Sequence, residues 1–283
     1  MDGTVALVLI TLFAAGVNGG LGYGFSSLTM PVALIFYTNR LLNPAMVLIE
    51  VCVNFYVLFM NRQNVTAVWK RVSRIVIWLP VGVVVGSHFV SSLHPGWIKL
   101  FTYITLMPLI LVQAAGLRRP IRNENKAGML FGISIGFLYA VTTVSGPPLA
   151  VWLNNQGIVK GEFRAALSII RAAESTLTAI AYAYLGFYSA ESFSLLKTIL
   201  PSLVIGIPAG YFLIRKMNAE VFRRICMTFD VWVVSFGLAR VLMELRLVES
   251  HWAWGIMVVA LGIDAWLLYR FFAQQRPVTQ TSP

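Results

Sequence analysis

Two stretches of this chain carry no charge and are too long to be single membrane-crossing helices. Residues 3–39 contain no Asp, Glu, Lys or Arg, and neither do residues 127–159. As straight helices they would run ~50 Å at ~1.5 Å per residue, against ~30 Å of bilayer hydrocarbon. Both have helix breakers in the middle. The first reads Gly19-Gly20-Leu21-Gly22-Tyr23-Gly24-Phe25-Ser26-Ser27, with Pro31 beyond; the second reads Thr142-Thr143-Val144-Ser145-Gly146-Pro147-Pro148. Glycine permits backbone that other residues resist, and proline lacks a donor but suits the first turn of a new helix. Each run is therefore predicted to be two half-helices meeting at a kinked tip.

Composition places these runs in a membrane. The chain is 58% hydrophobic and 12% charged, where soluble domains carry about 25% charged residues. That excludes a soluble enzyme, a disordered chain and, despite the net charge of +11, a nucleic-acid binder; a basic excess is what cytoplasmic loops of membrane proteins carry. Seven further apolar runs, roughly 43–60, 75–93, 98–116, 164–187, 195–214, 222–243 and 251–272, are long enough for spans. The N-terminal run lacks a basic start and is too long for a secretory signal, so it is expected to belong to the mature protein. Cys52 and Cys226 both lie in apolar runs, so neither a disulfide framework nor a zinc site is expected.

Charge decides between topologies. If all nine runs crossed once, Lys and Arg would divide almost evenly between the two sides. If the two long runs are hairpins that enter and leave on one face, one side keeps only Arg40, Lys99, Lys197, Arg240 and Arg246, and the rest, apart from Arg171 inside a span, gather on the other. That bias is the one the positive-inside rule describes. It favours hairpins, an outside N-terminus and a cytoplasmic C-terminus.

The order hairpin, span, span, span then occurs twice. The expected organisation is an all-α integral membrane protein of two inverted repeats, 1–118 and 119–245, an extra C-terminal helix at 246–273 and a disordered cytoplasmic tail at 274–283. Faint identities fall in the right places: Leu79, Gly82 and Gly86 match Leu203, Gly206 and Gly210 at an offset of 124, and Asn43, Ala45 and Glu50 fall opposite Arg164, Ala166 and Arg171 at 121. Internal symmetry with paired broken helices is a sequence sign of secondary transporters. The Gly-x-x-x-Gly pairs themselves read as helix-packing sites.

A half-helix that starts at membrane depth points free N–H groups and a positive dipole end inward. Two such ends facing each other would make an anion cradle. Gly22, Gly24, Ser26 and Ser27 at the first tip, and Thr142, Thr143, Ser145, Gly146 and Pro147 at the second, are the candidate substrate-binding residues. Ser26 and Ser27 are expected to cap the first return helix, and the second-tip hydroxyls to do the same for theirs. The competing reading is a closed plug whose hydroxyls only satisfy backbone.

Five ionisable residues fall inside spans: Glu50, Arg171, Glu174, Asp230 and Asp264. Charges at such depth must face protein or water. Arg171 and Glu174 share a helix face and can pair locally, while Glu50 holds the place matching Arg171 and can reach it across the repeat axis. One reading is a structural network. The other is that Arg171 grips an oxyanion with its planar fork while Glu50 or Glu174 carries a proton. Asn54 joins them as a coupling or gating candidate; Asn18 and Asn154 are further polar groups near the path. Trp69, Trp78, Trp97, Trp252, Trp254 and Trp266 read as interface anchors.

No catalytic signature occurs in the sequence: no His-Glu-x-x-His, no Gly-x-Ser-x-Gly elbow and no P-loop. No enzyme activity, metal or cofactor is expected. The expected partners are a small anion, the lipid bilayer and coupled protons, with a homodimer allowed by the sequence and nucleic acid excluded.

Gly20-Leu21-Gly22-Tyr23-Gly24-Phe25-Ser26-Ser27-Leu28-Thr29-Met30-Pro31 and Ser145-Gly146-Pro147-Pro148-Leu149, placed alike in the two halves, resemble the sulfite exporter TauE/SafE family, the toluene-sulfonate uptake permeases. The resemblance covers nearly the whole chain. It implies transport of sulfite, sulfoacetate or other organosulfonates, or of carboxylates, across a bacterial inner membrane. A passive anion channel and a non-transporting scaffold are the alternatives.

Overall fold

The computed structural model describes residues 3–115, 124–156, 160–214 and 219–274. Every described element is a helix: α1 Gly3–Leu21, α2 Phe25–Ala33, α3 Asn39–Met60, α4 Val65–Ser92, α5 Pro95–Ala114, α6 Glu124–Thr142, α7 Gly146–Asn155, α8 Lys160–Tyr184, α9 Ala190–Ile214, α10 Ala219–Glu244 and α11 Ser250–Gln274. A single 3-10 turn, Arg62–Asn64, joins α3 to α4. Among the described residues seven helices are long and apolar enough to cross a membrane, so the chain is a multi-pass membrane protein. Residues 275–283 of the expected tail and the Asn154 side chain lie outside the described residues.

Both charge-free runs are hairpins. The first breaks at residues 22–24, and after the break α2 packs back on α1. It returns to where it began: a methyl group on Gly3 would lie 3.2 Å from the Phe36 Cβ. The second breaks at residues 143–145, and Trp152 of α7 stacks on Phe131 of α6 with ring centroids 4.2 Å apart. Each hairpin is followed by three long helices, and α11 stands outside this pattern.

Each hairpin is clamped by a helix from the other half of the chain. α1 runs along α9, and α6 along α4. Contact partners rise together in number: Ser202 donates to the Val8 carbonyl, Gly206 meets the Leu12 carbonyl and Gly210 meets Gly16, so α1 and α9 are parallel. On the other side Arg74 lies against Gly128, Ile75 against Gly132 and Leu79 against Gly136, so α4 and α6 are parallel too. The glycine pairs make both seams. A Cβ on Gly82 would overlap the Ile133 carbonyl and one on Gly206 would press on the Leu12 carbonyl. At Gly86 and Gly210 the obstructing carbonyls are those of Phe137 and Gly16. With no hydrophobic drive between helices in lipid, close backbone approach of this kind supplies the packing energy.

The buried apolar residues fall into two main clusters that ignore the chain's halves. One joins α1, α2, α3 and α9 with α5 and α10. The other joins α4, α6, α7 and α8. Outside them, Val84, Val204, Val258 and Tyr269 are among the apolar residues turned outward, as a lipid-facing surface requires. α11 leans chiefly on α10, where Arg224 donates from Nη2 to Asp264 Oδ1 at 3.0 Å and to the Asp264 carbonyl at 3.1 Å.

Alanine at Gly82 or Gly210 is expected to part a seam and to destabilise by about 1–3 kcal/mol, the usual effect of overpacking. Gly255, in α11 with nothing within 4 Å of a built Cβ, is the control: Gly255→Ala should leave the melting temperature unchanged or raise it, because alanine favours helix by up to ~1 kcal/mol. Thermal melts in detergent read both effects.

Candidate functional site

α3 and α8 cross at the centre of the molecule. From Ala165 to Ala172 every residue of α8 is buried, which is how a helix with Arg171 and Glu174 on it survives among apolar neighbours. Arg171 donates from Nη2 to Glu50 Oε1 at 2.7 Å, with both side chains almost fully buried. Tyr139 of α6 donates its hydroxyl to Glu50 Oε2 at 2.7 Å. One turn along α3, Asn54 donates to the Arg171 carbonyl at 3.2 Å and to Ser175 Oγ at 3.3 Å. Glu174 accepts the Ser145 hydroxyl from the second break. Of the two partners the sequence left open for Arg171, the guanidinium takes Glu50 across on α3, and Glu174 turns to the tip. Among the described residues, Arg171 Nε and Glu174 Oε2 are buried without a partner.

The two tips touch. A methyl group on Gly146 would lie 3.5 Å from the Tyr23 ring. Both tips use left-handed backbone at the same place. Gly22 has φ 82°, and Thr143, 121 residues later, has φ 56°. Gly22 N–H closes on the Asn18 carbonyl and Thr143 N–H on the Tyr139 carbonyl, both at 2.7 Å. A β-branched residue at positive φ is strained, and Thr143 also donates its hydroxyl to the Thr142 carbonyl.

The expected capping differs from what is found. The N-cap of α2 is Gly24, at φ 107°, with no side-chain cap bond. Ser27 instead donates to the Gly24 carbonyl at 3.2 Å, and Ser26 is buried beside it. The left-handed turn sets where the helix starts, and only glycine takes that geometry without strain, so the serines fall inside the first turn. At the second tip Thr142 accepts Val144 N–H at 3.1 Å. Ser145 directs its hydroxyl to Glu174 rather than to the helix, and Pro147 sits buried in the first turn of α7.

Tip carbonyls are held by side chains from the following long helices. Asn43 donates to the Val141 carbonyl at 2.8 Å, and Arg164 to the Gly20 carbonyl at 3.2 Å. Donors and acceptors are each 121 residues apart. The Tyr182 hydroxyl accepts from Asn43 Nδ2 and donates to the Ala140 carbonyl. Tyr139, Ser175, Tyr182, Asn43 and Arg164 were not among the expected site residues. The 121 offset is the signal that finds three of them, since it carries Asn54 to Ser175 and pairs Asn43 with Arg164. The two tyrosines read as apolar in sequence. Of the remaining flagged residues, Asn18 and Asp230 are buried, each with its Oδ1 unpartnered among the described residues.

The family model of the sulfite exporter TauE/SafE matches residues 7–236. This chain belongs to the TauE/SafE family. The family is one of membrane transporters, and its match spans both hairpins, the α3–α8 crossing and most of α10, but not α11. Comparison with curated proteins and with solved structures finds no match. Among the described residues no group of His, Cys, Asp and Glu is placed to hold a metal ion.

A buried pair broken on one side leaves a charge stranded in low dielectric. Glu50→Ala and Arg171→Ala are each expected to destabilise this TauE/SafE chain by about 3–5 kcal/mol, whereas Glu50→Leu with Arg171→Met, which strands no charge, should recover most of the loss. Denaturant or thermal unfolding of the three variants tests this.

Proposed function

We propose that this TauE/SafE chain is a secondary transporter that carries a small sulfur oxyanion, sulfite or an organosulfonate such as sulfoacetate, across the inner membrane of a bacterium. The anion sits at mid-membrane between the two broken tips. The observation that carries the reading is the meeting of Tyr23 and Gly146 beside the Arg171–Glu50 ion pair and the Ser145–Glu174 hydrogen bond. The first turns of α2 and α7 offer free N–H groups and positive dipole ends, and Gly22, Gly24, Ser26, Ser27, Thr142, Thr143 and Ser145 supply small or hydroxyl-bearing walls. Arg171 is a buried positive charge at the crossing. An oxyanion competes with Glu50 for its fork, and Glu50 or Glu174 takes up a proton as the anion binds.

We further infer that the two halves are inverted repeats related by an axis between α3 and α8. Three observations support this. Glu50 pairs with Arg171 and Asn54 with Ser175, each its own partner at 121. The tip carbonyls are held from matched positions. The glycine seams meet the same backbone atoms on matched hairpins. The bodies that rock are then the two packed lobes, each made of one hairpin, its following helix and the clamping helix from the other half, rather than residues 1–118 against 119–245.

Counterflow of labelled sulfite and sulfoacetate in proteoliposomes tests the reading. Arg171→Lys keeps the charge but loses the planar fork, and should raise the half-saturating concentration by about 10–100-fold, the worth of a charge-assisted bidentate contact. Glu174→Gln should abolish stimulation by a pH gradient while leaving exchange intact. Flux without counterflow would favour the channel. A melting temperature unmoved by every anion, where bound substrate should raise it by mass action, would favour the scaffold.

A further inference from the structure

An apolar groove of about 460 Å³ opens between α4, α5, α6 and α7. Gly82 and Val85 line it from α4, Thr105 and Leu109 from α5, and Phe131 and Ser134 from α6. Val85 is 55% exposed, so the groove faces the surrounding lipid.

The matching place in the other half is filled. Under the offsets of 121 and 124, Ser134 corresponds to Phe13 and Thr105 to Phe229. Those two rings meet edge to face, centroids 6.0 Å apart. A serine and a threonine in place of two phenyl rings leave a slot between α5 and α6. Water gains little in such apolar surroundings, whereas a hydrocarbon chain recovers the missing dispersion contacts.

One end of the slot is basic. Arg74 packs against Gly128, 3.6 Å from where a Cβ would stand, about one turn before Phe131 along α6. Arg71 and Arg74 are exposed on the face of α4 that also presents Trp78 and Val85. This is the end that the distribution of Lys and Arg assigns to the cytoplasm. Basic groups at the mouth of an interhelical cleft on that side suit an anionic lipid head group.

We propose that this groove binds one phospholipid with an anionic head group, its acyl chain between α5 and α6 and its phosphate at Arg71 and Arg74. Pro148, in the first turn of α7, also lines the groove, so the bound chain braces the second hairpin against α5.

Native mass spectrometry of the detergent-purified protein, titrated with phosphatidylglycerol and with phosphatidylcholine of the same acyl chains, is the test. Phosphatidylglycerol should bind more tightly, and Arg74→Gln should weaken it about fivefold, the worth of one basic residue at an anionic surface. Thr105→Phe with Ser134→Phe, which copies the filled half, should abolish retention without lowering the melting temperature. If that pair fails to fold, Val85→Trp at the mouth should give the same loss. Equal affinity for the two lipids, or undiminished phosphatidylglycerol binding by a folded filled variant, would overturn the proposal. The readout involves no transport, so it stands or falls separately from the transported anion.

Discussion

Backbone at membrane depth must find its hydrogen bonds inside the protein, and the rest of this structure follows from having two places where it cannot find them within a helix. Each broken tip leaves N–H and carbonyl groups without helical partners. The fold answers by sinking both hairpins into protein. α9 and α4 close over α1 and α6 through glycine seams, and Asn43 and Arg164 reach the exposed carbonyls. Left-handed residues at 22 and 143 turn the chain within a few residues. The first turns of α2 and α7 carry N–H groups beyond the reach of their own helices' carbonyls, and these are the groups the proposed anion would use.

The same enclosure permits charge. α8 carries more ionisable residues than a lipid-facing helix tolerates, yet the stretch that bears Arg171 and Glu174 is enclosed by protein. Its arginine finds Glu50 on α3, and Glu50 is in turn held by Tyr139. In the proposed mechanism that guanidinium exchanges a fixed carboxylate for a mobile anion, which would join a structural contact to a transport step. On that proposal, stability of the resting state and affinity for the ligand draw on one group and oppose each other.

How much was legible from sequence depended on the range of the interaction. The breaks at 22–24 and 143–145 were visible because glycine and proline act locally. The hairpins were visible because loop charge reports which side a chain end occupies. Helix capping was misread at Ser26 and Ser27, because the left-handed Gly24 fixes the start of α2 before a hydroxyl can compete. The partner of Arg171 was open between Glu50 and Glu174, since local helix geometry permits one and only tertiary packing decides for the other. Tyr139 and Tyr182 escaped notice because a buried hydroxyl is invisible in a hydropathy pattern. The interlocking of the lobes, with α4 beside the second hairpin and α9 beside the first, has no local signature at all.

The bond between Arg224 and Asp264 spans forty residues of chain, and α11, which supplies the aspartate, lies beyond the part of the chain that the family model covers. During synthesis α10 must enter the bilayer carrying an arginine whose partner has not yet been made. Until α11 follows, the guanidinium lacks the Asp264 carboxylate and carbonyl that hold it in the finished fold. Arrival of α11 supplies both acceptors and fastens the two helices together. The last helix thus completes the polar contacts of the one before it, and a chain ended after residue 249 would keep α10 but leave its arginine without these two acceptors.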